Sequence, residues 1–259
     1  GESSNPDLVV ANYACHPTVL GADNLLYSPD FPGYFRDGLS GAFPNGPQVI
    51  FTNGAAGDIS ARHTRREQTE EESKRLGLLL ATAAEEALKT AREIKISPVN
   101  CALDDLALST RTFPSPEAGD ALAAEALQAY EQALEAGASA PVLRRLLTTW
   151  QGADITARYA KLGIADSISG HIQGIRVGDV LFLGVPGELY ASGDSLIRER
   201  IGAADSPILV CGFANDYLGY LVDGGDAGDE YENLATPFRN DSFERLLAAV
   251  IELGRGLLE

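Results

Sequence analysis

His171-Ile172-Gln173-Gly174-Ile175-Arg176-Val177, then Gly178-Asp179, then Val180-Leu181-Phe182-Leu183, is the stretch that decides the fold class. Two runs of strand character flank a Gly-Asp turn, the pattern of a β-hairpin. Downstream, Tyr190 to Ile201 reads as a helix and Ile208-Leu209-Val210-Cys211-Gly212 as a buried strand, with Ser242 to Leu258 as a closing helix. Upstream, Leu8-Val9-Val10-Ala11 reads as a buried strand, being short, apolar and partly β-branched. Pro32 to about Ser40 reads as a short helix, and Val49-Ile50-Phe51-Thr52 as a second strand running into the turn Asn53-Gly54-Ala55-Ala56-Gly57. The clearest helix covers about Thr69 to Ile94. Thr69 and Glu72 resemble a capping box, and Leu76, Leu80, Ala83, Ala84, Ala87, Leu88 and Ala91 form one apolar stripe. Residues 99–112 alternate weakly and read as strand. Strands alternating with helices define an α/β protein, a mixed β-sheet flanked by helices.

The chain has 259 residues, 45% of them hydrophobic, enough to bury a sizeable core in one large domain or two small ones. No apolar run approaches the roughly 18 residues of a membrane span. With 20 Lys+Arg against 37 Asp+Glu the net charge is −17, a surface that repels phosphate backbones, so nucleic acid is not an expected partner. Three distant cysteines, Cys15, Cys101 and Cys211, argue against a disulfide framework and a zinc ribbon. The chain contains no methionine and opens on no signal-peptide pattern, which leaves its compartment open. Residues 116–165 are rich in Ala, Glu and Leu. They carry two helical runs, Pro116 to Ala136 and Pro141 to about Ala160, and read as a helical insertion bordering the site.

Polar residues gather where the strands end. In open α/β sheets that edge carries the site. Four segments share this placement: Asn12 to Thr18, Gly57-Asp58-Ile59-Ser60, Pro186-Gly187-Glu188, and Asn215 to Tyr220. His16, stiffened by Pro17, together with a carboxylate such as Glu188 suits zinc or a similar ion. Taken alone, Glu188 reads more readily as a carboxylate stabilised at a helix N-terminus. Ser60 lacks the G-x-S-x-G of a nucleophile elbow, so it is a substrate-binding hydroxyl or a turn residue. Tyr217 and Tyr220 read as core aromatics, and Asp216 and Asp223 as surface charge.

Taken in order, these segments resemble the neutral, non-lysosomal ceramidase family and its shorter bacterial relatives. Asn12-Tyr13-Ala14-Cys15-His16-Pro17-Thr18 is similar to the family's His-Pro-Thr motif, and Gly57-Asp58-Ile59-Ser60 to its Gly-Asp-(Ile/Val)-Ser motif. Pro186-Gly187-Glu188 resembles its Pro-Gly-Glu motif. Asn215-Asp216-Tyr217-Leu218-Gly219-Tyr220 resembles its Asn-x-Tyr-x-x-Tyr motif, with Glu230-Tyr231-Glu232 answering a following Tyr-Glu. The likeness spans about residues 8 to 240 and leaves 116–165 outside.

The resemblance implies a zinc amidohydrolase acting on a ceramide-like lipid or other N-acyl compound. His16, Glu188 and Tyr220 become the Zn2+ ligands, Ser60 the serine that handles the substrate's polar head, and Tyr231 a donor to the carbonyl oxygen. The family's further histidine ligand, in a His-rich motif upstream, and its C-terminal immunoglobulin-like domain have no counterpart here. A separate N-terminal chain or a second copy of this chain is therefore an expected partner. His63 and His171 are the remaining histidines that could complete the metal site. A metal-independent serine hydrolase built on Ser60, or a non-catalytic subunit of a split protein, are the alternatives.

Overall fold

The computed structural model describes residues 5–202, 206–223 and 231–259. Its first unit is a βαβ crossover. Strand β1 (Leu8–Tyr13) pairs in parallel with β2 (Gln48–Asn53), and helix α1 (Asp30–Gly41) joins them. Helix α2 (Glu70–Leu88) lies against α1, and Val9, Phe35, Leu39, Val49 and Ala81 close a small core there. Strand β1 is not wholly buried, as its composition suggested. Alternate side chains face opposite ways, so Val9 enters the core while Leu8 and Val10 stay exposed.

A four-stranded mixed sheet holds the main core. Strand β3 (Val99–Ser109) runs antiparallel to β4 (Ser167–Val177), β4 forms the expected hairpin with β5 (Val180–Gly184), and β5 pairs in parallel with β7 (Ile208–Cys211). Gly178 takes the turn with φ of 57°. Helix α5 (Ala191–Ile201) makes the crossover from β5 to β7, and α7 (Ser242–Leu258) lies across β3 and β4. Leu108, Ile172, Leu181, Leu183, Leu246 and Leu247 are sealed between them. At Gly174 the helix comes so close that a Cβ would sit 2.3 Å from a Leu257 methyl. Two further short strands, β6 (Glu188–Leu189) and β8 (Tyr220–Leu221), pair in parallel.

Three sequence expectations shift. The long helix stops at Leu88, not Ile94, because Thr90 turns its N–H and hydroxyl back onto the Ala87 carbonyl, tightening the last turn. The capping box is half formed. Thr69 Oγ1 accepts from Glu72 N, but the Glu72 carboxylate accepts from Arg66 N and pairs with Arg75. The β3 strand ends at Ser109 rather than at residue 112. Residues 116–165 form the helical pair α3 (Pro116–Glu135) and α4 (Ala140–Leu162). This excursion leaves and rejoins the sheet at one point, for Ser109 is the register partner of Ser167 and Thr110 N donates to the Asp166 carbonyl.

Candidate active site

The carboxyl ends of β2, β1 and β7 are tied into one edge. Asn12 Nδ2 donates to Thr52 Oγ1 and to the Val210 carbonyl, each at 3.0 Å, and Gly212 N donates to the Asn53 carbonyl. Each strand then releases one of the polar loops. The loop after β1 is fixed by His16 N, which donates to the Ile59 carbonyl at 2.9 Å, and His16 bridges Ser60 in parallel register. The Gly57 turn is held by Gly57 N donating to the Leu189 carbonyl at 2.8 Å. A side chain at Gly57 would lie 2.6 Å from the Glu188 carbonyl oxygen, and one at Gly187 would lie 2.5 Å from that of Gly219. Only glycine lets these backbones meet.

Their meeting places the side chains. His16 Nε2 lies 2.7 Å from Glu188 Oε2, with side-chain exposures of 16% and 6%, so little water screens the pair. Tyr217 donates its phenol to Glu188 Oε1 at 2.5 Å. Tyr220 is the register partner of Glu188, and its ring stacks 6.4 Å from the His16 imidazole. Tyr231, the first residue of α6 (Tyr231–Ala235), sets its ring edge-on to Tyr220 at 5.9 Å. Phe213 closes a further side of the imidazole. The structure thus brings His16, Glu188, Tyr220 and Tyr231 together, with Ser60 beside His16 through the backbone. Ser60 Oγ accepts from Arg62 N, and no hydrogen bond joins it to a histidine or carboxylate among the described residues. Glu230, read with Tyr231 in the sequence, lies outside the described residues.

Electrostatics follow from burial. Desolvation pulls the His16 imidazole down, but the Glu188 hydrogen bond and charge, aided by the Ala56 and Ile59 carbonyls, outweigh it and leave the ring above its ordinary value. Desolvation pushes Glu188 up, yet the bonds from His16 and Tyr217 outweigh that and hold it below the usual range. Burial and the negative Glu188 raise Tyr217, Tyr220 and Tyr231, so all three phenols remain donors at neutral pH. His16 Nδ1 is buried and has no hydrogen-bond partner among the described residues.

Among the described residues no group of three or more His, Cys, Asp and Glu gathers as a metal site. The donor set is one imidazole, one carboxylate and phenols. Of these, the imidazole and the carboxylate are ordinary zinc-ligand types. A bound cation would reverse the upward pull on the Tyr220 phenol.

Tyr217, read as a core aromatic, is 64% exposed yet anchors the carboxylate. Left-handed backbone at Phe213 and Asn215, with φ of 56° and 67°, turns its loop inward. Asp216 is not free surface charge. Its Oδ2 accepts from His171 N and lies 2.8 Å from His171 Nδ1, while Asp105 faces Nε2 at 3.3 Å. That engages His171 in fixing the loop, and His63 sits in the short turn Ala61–His63.

The helical pair borders this site. Gly152 of α4 receives Leu234 of α6, Arg111 donates to the Leu234 and Thr236 carbonyls, and Tyr159 donates to the Ala235 carbonyl. Tyr159 thereby stands within electrostatic reach of Tyr231 and Glu188.

No family model and no curated protein sequence matches the chain. Among solved structures it is similar to the neutral ceramidase from Pseudomonas aeruginosa, with a TM-score of 0.68 and 18% identity over 97% of this chain and 44% of that chain. A structure described as ceramidase complexed with C2 gives a TM-score of 0.68 at 16% identity, over 97% of this chain and 46% of that one. The chain therefore has a ceramidase-like fold and spans less than half the length of these neighbours. No helix among the described residues is long and apolar enough to cross a membrane.

Proposed function

We propose that the protein hydrolyses the amide bond of an N-acyl compound, a ceramide-like lipid or a relative of one, with zinc held by His16, Glu188 and Tyr220. The observation that carries this reading is the His16–Glu188 pair, 2.7 Å apart, with Tyr217, Tyr220 and Tyr231 gathered beside it at the carboxyl edge of the strands. The ceramidase-like fold supports it. Zinc supplies Lewis acidity and a water acidic near neutral pH.

The protein's own groups do the rest. Tyr217 fixes one oxygen of Glu188, leaving the other to face His16. Tyr231, kept protonated, donates to the substrate carbonyl oxygen and steadies the charge that grows there as water adds. Ser60, beside His16, binds the polar head of the amine half. A serine nucleophile would need a base, and none bonds Ser60 Oγ among the described residues.

Metal analysis and hydrolysis of an N-acyl amine by the zinc-loaded protein test the reading together. The expected result is one zinc per chain and turnover that Glu188→Ala and His16→Ala both abolish. Turnover unaffected by chelator, with Ser60 labelled by a fluorophosphonate, would replace it with a serine hydrolase; no metal and no turnover would leave a binding subunit.

A further inference from the structure

We propose that Arg111 is the positioning residue for Tyr231: its guanidinium, reaching in from the start of the helical excursion, holds the far end of α6 and so sets the Tyr231 phenol beside the His16–Glu188 pair. That the phenol serves amide cleavage rests on the reading above; that Arg111 places it rests on the bonds Arg111 makes.

Helix α6 does not place Tyr231 unaided. It has five residues. Isolated helices shorter than about 12–15 residues are marginal in water. Tyr231 is its first residue, so the phenol stays where it is as long as the other end is anchored. Arg111 anchors that end. Its Nε donates to the Thr236 carbonyl at 2.9 Å and its Nη2 to the Leu234 carbonyl at 3.1 Å. Carbonyls at a helix C-terminus lack partners within the helix, and the peptide dipoles there favour a cation. The main chain joins in, as Arg111 N donates to the Pro237 carbonyl at 2.9 Å.

The anchored end is also aligned with the site. While the Thr236 carbonyl accepts from Arg111, the Thr236 hydroxyl donates to the Tyr220 carbonyl at 2.7 Å. Thr236 is 5% exposed, so water hardly competes for that bond. Tyr220 is the register partner of Glu188, and its ring meets that of Tyr231. The guanidinium is itself held in place. Its Nη2 also donates to Thr156 Oγ1 of α4 at 2.8 Å, and its central carbon lies 5.0 Å from the centre of the Phe113 ring. Phe113 packs on Tyr159, which adds a second, longer tie by donating to the Ala235 carbonyl at 3.4 Å. A planar fork serves three acceptors on two helices and the strand beyond them; the single nitrogen of a lysine cannot reproduce that geometry.

The test joins steady-state hydrolysis of an N-acyl amine to amide exchange, on the whole chain carrying Arg111→Gln, Arg111→Lys, Tyr231→Phe, or Arg111→Gln with Tyr231→Phe. Misplacing a group by about 1 Å can lower a rate about 100-fold, so Arg111→Gln should reduce kcat by about 30–100-fold and change KM by less than about threefold. Arg111→Lys should recover part of kcat. In the Tyr231→Phe background, Arg111→Gln should lower kcat by less than about threefold more, because an absent phenol cannot be misplaced. Exchange of the amides of residues 232–238 should quicken about tenfold in Arg111→Gln, while that of the β4–β5 hairpin stays the same. If Arg111→Gln does not fold, Tyr159→Phe carries the same test with a smaller loss of kcat, again absent in the Tyr231→Phe background. Unchanged kcat despite faster exchange, a change in KM alone, or losses that multiply in full with Tyr231→Phe overturn the proposal. If the parent cleaves no amide, the hydrolase reading falls and exchange alone decides the placement: faster exchange over 232–238 in Arg111→Gln supports it, and unchanged exchange overturns it.

Discussion

Replacing Gly57 by alanine should loosen the whole site while adding only one methyl group. The new Cβ would stand 2.6 Å from the Glu188 carbonyl oxygen and 3.0 Å from the Leu189 carbonyl carbon, both main-chain atoms that cannot rotate away. Ordinary contact needs roughly 3.3 Å or more, so the turn and β6 must part by about 0.7 Å. That stretches the Gly57 N to Leu189 carbonyl bond from 2.8 Å to about 3.5 Å, past useful hydrogen-bond length. Losing it costs about 1 kcal/mol, and the overpacking about 1–3 kcal/mol more. Restricting the unfolded chain returns about 0.4–1 kcal/mol, for a net loss of about 1–3 kcal/mol. For a chain of this size that is a fall in melting temperature of roughly 2–10 °C. The same movement separates Ser60 and His16 from Glu188. Urea titration and zinc binding measured on Gly57→Ala would show both effects. A variant within about 0.5 kcal/mol of the parent, with zinc binding unchanged, would refute the claim that this glycine sets the approach of the two loops.

Tyr217→Phe removes the donor to Glu188 Oε1 and should lower stability by about 1–2 kcal/mol at pH 7 while raising the Glu188 carboxyl, both read from urea midpoints taken across pH. Zinc at about 100 times its dissociation constant should add about 2.7 kcal/mol to the stability of the parent and nothing to His16→Ala, as thermal melting would show. The His171–Asp216 clamp has a defined pH window. The Asp216 bond raises His171 above its ordinary 6.5, so that contribution is complete below 6.5 and is lost as pH climbs through the raised value. The His171 bond lowers Asp216 below 3.8, so its contribution is complete above 3.8 and is lost as pH falls through the lowered value. Amide exchange over residues 213–219, corrected for intrinsic rates, should be slowest between these limits and lose that pH dependence in His171→Ala.

Much of the frame was legible in the sequence because it rests on local patterns. Pro116 at the start and Gly137 after the end mark α3, and Gly178-Asp179 marks the hairpin. The polar loops were legible because each follows an apolar strand. Strands β6 and β8 were not, since two residues carry no periodicity. They form because Glu188 N and Tyr190 N find carbonyls at Gly219 and Leu221, far along the chain. Tyr217 was misread for the same reason: an aromatic three residues before Tyr220 looks like core until the left-handed turns at Phe213 and Asn215 aim its phenol at Glu188.

The paired residues Ser109 and Ser167 make the stretch between them an interchangeable cassette. Strand register, not the helices, closes its ends, and doubling the length of a loop so closed costs only about 0.6 kcal/mol in entropy. A different 110–166 segment could be grafted there without moving His16, Glu188 or the sheet. Arg111, Gly152 and Tyr159, which hold α6, travel with the graft. Exchanging this one segment between related proteins would therefore change the wall on which α6 and Tyr231 rest while leaving His16 and Glu188 where they are.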